Sequence, residues 1–179
     1  GGGSSDGAFA INMLNQHFNL GLTADRLESL AAQLGSDCPF FIRNTPSLVT
    51  GRGEHLKPLQ LRLEGWCMMV LHPGIHISTP QAFGWVNPDD QRPSLSHWEN
   101  SDPSDWTGEL TNDFTGPVSQ RVPEVEKALT MLRSYGAKFT DMSGSGSAVF
   151  GCFPHEPDSE CVRTLPPGWS GWIGPMAKP

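Results

Sequence analysis

The chain has 179 residues, a formal charge of −7 and a hydrophobic content of 37%. That length suits one domain or two small ones, and the acidic balance argues against a nucleic-acid backbone partner, which calls for clustered Lys and Arg. No apolar run reaches the ~20 residues that a membrane-spanning helix requires, whereas a nucleotide stays within reach because loop amides and a metal neutralise a few phosphates locally.

The chain opens on Gly1-Gly2-Gly3-Ser4-Ser5-Asp6. Three glycines let a backbone approach a ligand unobstructed, and a helix follows, expected from Ser5 to Phe18 with Ala8, Ile11, Leu14 and Phe18 on one face. A glycine loop running into a helix N-terminus is an anion site, and phosphate is the usual anion. A cloning linker also reads Gly-Gly-Gly-Ser-Ser, but need not end on a helix start with Ser and Asp in the capping turn. With no initiator Met and no strand leading in, the opening is expected to be the interior of a longer protein.

Thr23 caps a second helix whose apolar face is Leu27, Leu30, Ala31 and Leu34, and Gly35 ends it. Ser36-Asp37-Cys38-Pro39 then leads into Phe40-Phe41-Ile42, expected as a strand, which sets Asp37 in a tight helix-to-strand connection. Short strands are expected at 47–50 and 56–61 around the turn Gly51-Arg52-Gly53, and another at 66–71 ending on His72-Pro73-Gly74. Thr79 to Trp85 reads as a short helix with Pro80 in its first turn. Residues 86–108 read as a surface excursion with a short helix near Ser94. A clear helix starts at Val122-Pro123, with Val125, Ala128, Leu129 and Leu132 on one face and a stop at Gly136. Strands are expected at 137–142 and 148–153 around Ser143-Gly144-Ser145-Gly146-Ser147, then a helix at 158–165 and a last strand at 169–173. The pattern is α+β, with a boundary near Glu64. Cys38, Cys67, Cys152 and Cys161 form no CxxC pair, which argues against zinc and fits a reducing cytoplasm. Taken singly, Asp37 reads as an Asx turn before Pro39 and Phe83 as a core residue.

Taken together, the glycine loop with Ser-Ser-Asp, an Asp in a tight turn, and Met142-Ser143-Gly144-Ser145-Gly146-Ser147 resemble the GHMP small-molecule kinases. Leu34-Gly35-Ser36-Asp37-Cys38-Pro39-Phe40-Phe41, Gly51-Arg52-Gly53-Glu54, His72-Pro73-Gly74 with Thr79-Pro80 and Phe83, and Asn112-Asp113-Phe114 resemble those members that phosphorylate 4-diphosphocytidyl-2-C-methyl-D-erythritol in the non-mevalonate isoprenoid pathway. The resemblance spans Gly1 to about Phe153.

That resemblance implies an α+β, two-domain architecture: residues 1–63 as the remnant of a ribosomal-S5-like ATP domain, and residues 64–179 as a ferredoxin-like C-terminal domain. It implies that Gly1, Gly2, Gly3, Ser4 and Ser5 hold the ATP phosphates and that Asp37 accepts or orients the proton of the attacking hydroxyl. Thr79 and Phe83 would line the cytidine and methylerythritol pocket, with Gly144, Ser145 and Gly146 closing on the substrate. ATP with Mg²⁺ is the implied cofactor pair. No metal ligand is assigned, Ser5 being a candidate on chemistry alone. The partner is then a small molecule, neither nucleic acid nor membrane, in the cytoplasm, with oligomeric state left open. The family's strand-borne Lys, which stabilises the transferring phosphoryl group, has no match here, so the chain as given is expected to be inactive and poorly soluble. A kinase for a sugar or for mevalonate, and a non-catalytic nucleotide-binding remnant, remain as alternatives.

Overall fold

In a computed structural model of the protein, the described residues are 2–51, 53, 55–87 and 98–176. They fall into two compact units, one running to Leu61 and including residues 98–100, the other comprising residues 62–87 and 101–176.

The first unit holds helices α1 (Gly2–His17), α2 (Ala24–Ala31) and α3 (Cys38–Arg43), then the antiparallel pair β1 (Ser47–Thr50) and β2 (His55–Pro58), in register from Ser47↔Pro58 to Thr50↔His55. Thr23 caps α2 as expected, its hydroxyl accepting from the Arg26 amide. α3 packs on both α1 and α2, around buried Ala8, Leu27, Ala31 and Cys38. Arg43 at the end of α3 reaches Asp25 and Glu28 on α2, a surface link that orients more than it stabilises.

Three expectations fail in this unit. Phe40-Phe41-Ile42 is helical, not a strand, so Asp37 lies between two helices. A three-residue apolar run carries no period that separates helix from strand. Pro39 sits in the first turn, where its missing N–H costs nothing, and Asn44 in the left-handed region (φ 52°) closes the turn. Helix α1 begins at Gly2 rather than Ser5, so Gly2, Gly3 and Ser4 form its first turn instead of a loop, with the Ser5 hydroxyl donating to the Gly2 carbonyl at 2.8 Å. The expected apolar face of α1 is only partly covered: Ala8 is buried and Ile11 half-buried, whereas Leu14 and Phe18 are exposed, as are Phe9 and Met13.

The second unit is a four-stranded antiparallel sheet in the order β4-β5-β3-β6. Its elements are β3 (Cys67–His72), α4 (Thr79–Phe83), α5 (Thr115–Arg121), α6 (Pro123–Ser134), β4 (Phe139–Met142), β5 (Val149–Phe153), α7 (Glu160–Arg163) and β6 (Ser170–Pro175). Counting the helices between β3 and β4 as one connection, this is the β-α-β-β-α-β order of a ferredoxin-like sheet, as the resemblance implies. Met69 of central β3 pairs with Gly151 on one side and Ile173 on the other. The buried residues of β3 and β5 (Met69, Leu71, Val149, Phe153) meet Val125, Ala128, Leu129 and Leu132 of α6 in one core. Gly151 allows this approach, since a Cβ there would stand 3.0 Å from the Ala137 Cβ and 3.3 Å from that of Leu132.

Helix α5 was not among the expected elements; its Gly116 and Pro117 lie in the first turn, where neither is costly. Residues 101–108 are no mere surface excursion. Trp106 is buried, donates from its indole nitrogen to the Ser101 hydroxyl at 2.8 Å, and stands edge-on to Phe139. The helix expected near Ser94 lies outside the described residues.

Candidate functional site

In the second unit the hairpin between β4 and β5 is the Gly-Ser stretch 143–147. Two of its own bonds shape it: the Ser143 amide donates to the Ala148 carbonyl (2.9 Å) and the Gly146 amide to the Ser143 carbonyl (3.1 Å). The Ser147 hydroxyl, buried, donates to the Ile75 carbonyl just beyond the His72-Pro73-Gly74 turn. Ser145 stands 3.4 Å, hydroxyl to hydroxyl, from Thr79 at the start of α4. Ser78 caps that helix, accepting from the Gln81 amide, and Pro80 pre-sets its first turn.

One turn further along α4, Phe83 is 63% exposed and stands edge-on to Phe114 at 4.9 Å. The plain core reading of Phe83 therefore fails, and an exposed ring beside two hydroxyls can stack a base and hold a polar group. Thr79, Phe83 and Ser145, expected from separate motifs, share one corner of this unit, with Gly144 and Gly146 on either side of Ser145.

The residues that hold the hairpin were not among the expected site residues. The Asn112 side chain donates to the carbonyls of Met142 (2.8 Å) and Gly144 (2.7 Å) and accepts from the Phe114 amide (3.0 Å). Backbone carbonyls only accept and amides only donate, so these partners fix which end of the side-chain amide is nitrogen. Asp141, buried at 6% exposure, accepts from the Asn112 amide (2.6 Å), the Met142 amide (2.8 Å) and the Thr115 hydroxyl. A carboxylate in a strand between Thr140 and Met142 is the signal that went unused, since a buried charge demands donors. A groove of about 620 Å³ opens beside it, edged by Thr107, Thr111, Arg133 and Lys138.

In the first unit Asp37 precedes α3 with φ −87° and ψ −15° and makes no capping hydrogen bond, so the Asx-turn reading fails. Its exposed carboxylate accepts from the neighbouring Ser36 hydroxyl, at 3.3 Å. Two other motif stretches converge near it. A Cβ on Gly53 would lie 3.2 Å from the Ser36 carbonyl oxygen, and one on Gly7 of α1 would lie 3.4 Å from Leu34. Gly2 and Gly3 are exposed and Ser4 and Ser5 half-buried in the first turn of α1. Gly1, Arg52 and Glu54 lie outside the described residues. The groove between α2 and the β1-β2 pair, about 650 Å³ and edged by Glu28, Ser29, Thr50 and Lys57, contains none of the expected site residues.

No helix among the described residues is long and apolar enough to cross a membrane. Among the same residues no group of three or more His, Cys, Asp or Glu side chains is placed to hold a metal ion.

The family described as GHMP kinases C terminal matches residues 101–165. The chain is 40% identical over 153 residues to the 4-diphosphocytidyl-2-C-methyl-D-erythritol kinase of Parabacteroides distasonis, covering 86% of the chain and 56% of the relative. It is 40% identical over 164 residues to the kinase of the same name from Bacteroides thetaiotaomicron, covering 92% and 59%. The chain thus spans somewhat over half the length of these curated relatives. A crystal structure of 4-(cytidine 5′-diphospho)-2C-methyl-D-erythritol kinase superposes with a TM-score of 0.73 at 29% identity, covering 97% of the chain and 64% of that structure. Homoserine kinase from Cytophaga hutchinsonii, at 12% identity and a TM-score of 0.58, shares the fold alone. The motifs, the ferredoxin-like sheet and these relatives agree: residues 101–165 match the C-terminal domain of the GHMP kinases, and most of the chain is similar to kinases that carry that domain.

Proposed function

We propose that the chain is the part of a 4-diphosphocytidyl-2-C-methyl-D-erythritol kinase that carries the catalytic carboxylate and much of the substrate site, in a cytoplasmic enzyme of non-mevalonate isoprenoid synthesis. The observation that carries the reading is the meeting of Thr79 and Ser145, 66 residues apart in the chain, one helical turn from the exposed ring of Phe83 on α4. A hydroxyl pair beside an exposed aromatic ring suits a nucleobase joined to a polar chain. Residues 1–63 are then the ATP-domain remnant and residues 64–179 the C-terminal domain.

The chemistry divides between the units. The first-turn amides of α1, at Gly2, Gly3, Ser4 and Ser5, have no acceptor within the helix and sit at the positive end of its dipole, which suits ATP phosphates. Asp37 takes the proton of the substrate 2-hydroxyl as that oxygen attacks the γ-phosphorus. The bond from that phosphorus to the β–γ bridging oxygen breaks, and ADP leaves. Phosphoryl transfer asks mainly for alignment and charge neutralisation, so one positioned carboxylate suffices as the proton acceptor. Leu34 against Gly7 supports this placement, since it brings the segment leading to Asp37 alongside the second turn of α1. Magnesium would enter with ATP, held by the phosphates and several waters, and would neutralise phosphate charge. The Ser5 hydroxyl, donating to the Gly2 carbonyl, keeps lone pairs for it.

Calorimetric titration of the chain tests the substrate reading. 4-Diphosphocytidyl-2-C-methyl-D-erythritol is expected to bind and mevalonate and galactose not to bind, with Phe83→Ala weakening binding by about tenfold. Equal response to all three ligands, or none, would refute it. Turnover is read from ADP release in a chimaera that adds the portion of the Bacteroides thetaiotaomicron kinase with which the chain does not align. There Asp37→Asn is expected to cut kcat at least about a hundredfold with little change in KM for ATP, because it removes proton acceptance and keeps size. Parallel loss of both would assign Asp37 a structural role.

A further inference from the structure

We propose that Asn112 is a positioning residue that fixes the hairpin 143–147 in the shape that meets Thr79, and thereby sets affinity for the cytidine-linked substrate. This rests on the substrate reading above. Asn112 does two things with its side chain and one with its backbone. It draws the Met142 and Gly144 carbonyls together on its nitrogen, it accepts from Phe114 on its oxygen, and its own amide is held by buried Asp141. The Met142 and Gly144 carbonyls flank Ser143, so the entry to the hairpin cannot shift without losing both bonds. Phe114, which Asn112 also holds, is the ring against which Phe83 stands. One residue therefore sets both walls of the corner: the hairpin bearing Ser145 and the ring supporting Phe83. Thr115 contributes through Asp141 and by donating its amide to the Asn112 carbonyl (3.0 Å), and is not bonded to the hairpin itself.

The position of Asn112 makes a local test possible. Asn112→Asp keeps the shape and the bond from Phe114 but replaces two donors with an oxygen facing two carbonyl oxygens. Hydrogen exchange by NMR on the 179-residue chain reads the Ser143 and Gly146 amides, both bonded inside the hairpin, against the β5 amides as an internal standard. Two lost bonds are expected to speed exchange at Ser143 and Gly146 at least about fivefold, with Val149 to Phe153 unchanged. Affinity for 4-diphosphocytidyl-2-C-methyl-D-erythritol is expected to fall by at least the same factor, and Arg163→Ala on α7 to change neither. Unchanged hairpin exchange, or faster exchange with unchanged affinity, overturns the proposal. If β5 amides accelerate equally in Asn112→Asp, the milder Asn112→Ser decides, and the same uniform acceleration there overturns the proposal in favour of a general stabilising role. If the wild-type chain fails to bind the substrate, the substrate reading and the affinity claim both fall, while the exchange data still judge the brace separately.

Discussion

Gly144 and Gly146 occupy the same hairpin and both have positive φ, +56° and +86°, yet alanine is expected to act very differently at each. At Gly144 a Cβ meets nothing within 4 Å. The cost there is the left-handed conformation, about 1–2 kcal/mol, partly offset by about 0.4–1 kcal/mol from the smaller entropy of the unfolded chain. Gly144→Ala should therefore destabilise by about 0–1.6 kcal/mol. At Gly146 a Cβ falls 2.6 Å from the Met142 sulfur and 3.4 Å from its terminal methyl group. Met142 is itself buried, at 2% exposure, and belongs to the core against β3 and α6. It has nowhere to retreat without disturbing that packing, and overpacking of this kind costs about 1–3 kcal/mol. The sum for Gly146→Ala, with the same entropic offset, is about 1–4.6 kcal/mol, centred near 3, a large share of the 5–15 kcal/mol that a typical domain has. Urea unfolding followed by tryptophan fluorescence measures both variants, and at the scale of this chain the difference corresponds to several degrees in thermal midpoint. Equal midpoints for Gly146→Ala and Gly144→Ala would refute the reasoning, because backbone conformation alone would then account for both.

Burial pushes the Cys152 thiol up from 9.0 to about 12. The neutral thiol therefore favours the folded state below pH 9, and the advantage is lost as pH rises toward 12, at about 1.4 kcal/mol per pH unit. Cys152→Ala should flatten that stretch of the stability-against-pH curve, and an unchanged slope would count against it. Leu132→Ala, removing a fully buried side chain between α6 and the sheet, should cost about 2–5 kcal/mol, and a loss below 1 kcal/mol in chemical denaturation would show that the site collapses freely. The paired change Phe9→Ser with Met13→Ser, at positions 54% and 61% exposed on α1, should raise solubility while shifting stability by no more than about 0.5 kcal/mol; a clear drop in midpoint would mean that this face is packed in solution.

Much of the second unit was legible in the sequence because its signals are long or chemically specific. Helix α6 carries four core residues at helical spacing over a full 12 residues, and β3 and β5 are apolar runs bounded by turn residues. The Gly-Ser stretch between two strands needed only its glycines to be read as a turn. Thr79 and Phe83 were identified by the resemblance to the GHMP kinases, and their spacing is compatible with it because four residues along a helix return to the same face.

What failed was short or depended on partners. Phe40-Phe41-Ile42 has too few residues to show a period, and its helix exists because Pro39 opens it, Asn44 closes it, and α1 and α2 supply a surface to pack on. The stripe on α1 has helical spacing, but spacing says nothing about what covers it, and Leu14 and Phe18 are exposed. Trp106 looked like part of a polar excursion because its neighbours are Pro, Asp and Ser, whereas its burial comes from Phe139, 33 positions later. The brace of Asn112, Asp141 and Thr115 lies beyond any local reading for the same reason, since its hydrogen bonds join positions some 30 residues apart. Residue type and spacing determined which elements form and which side chains have suitable chemistry. Only the tertiary structure decided which of those side chains meet, because a hydrogen bond of 3 Å depends on where the sheet places two strands and not on how many residues separate them.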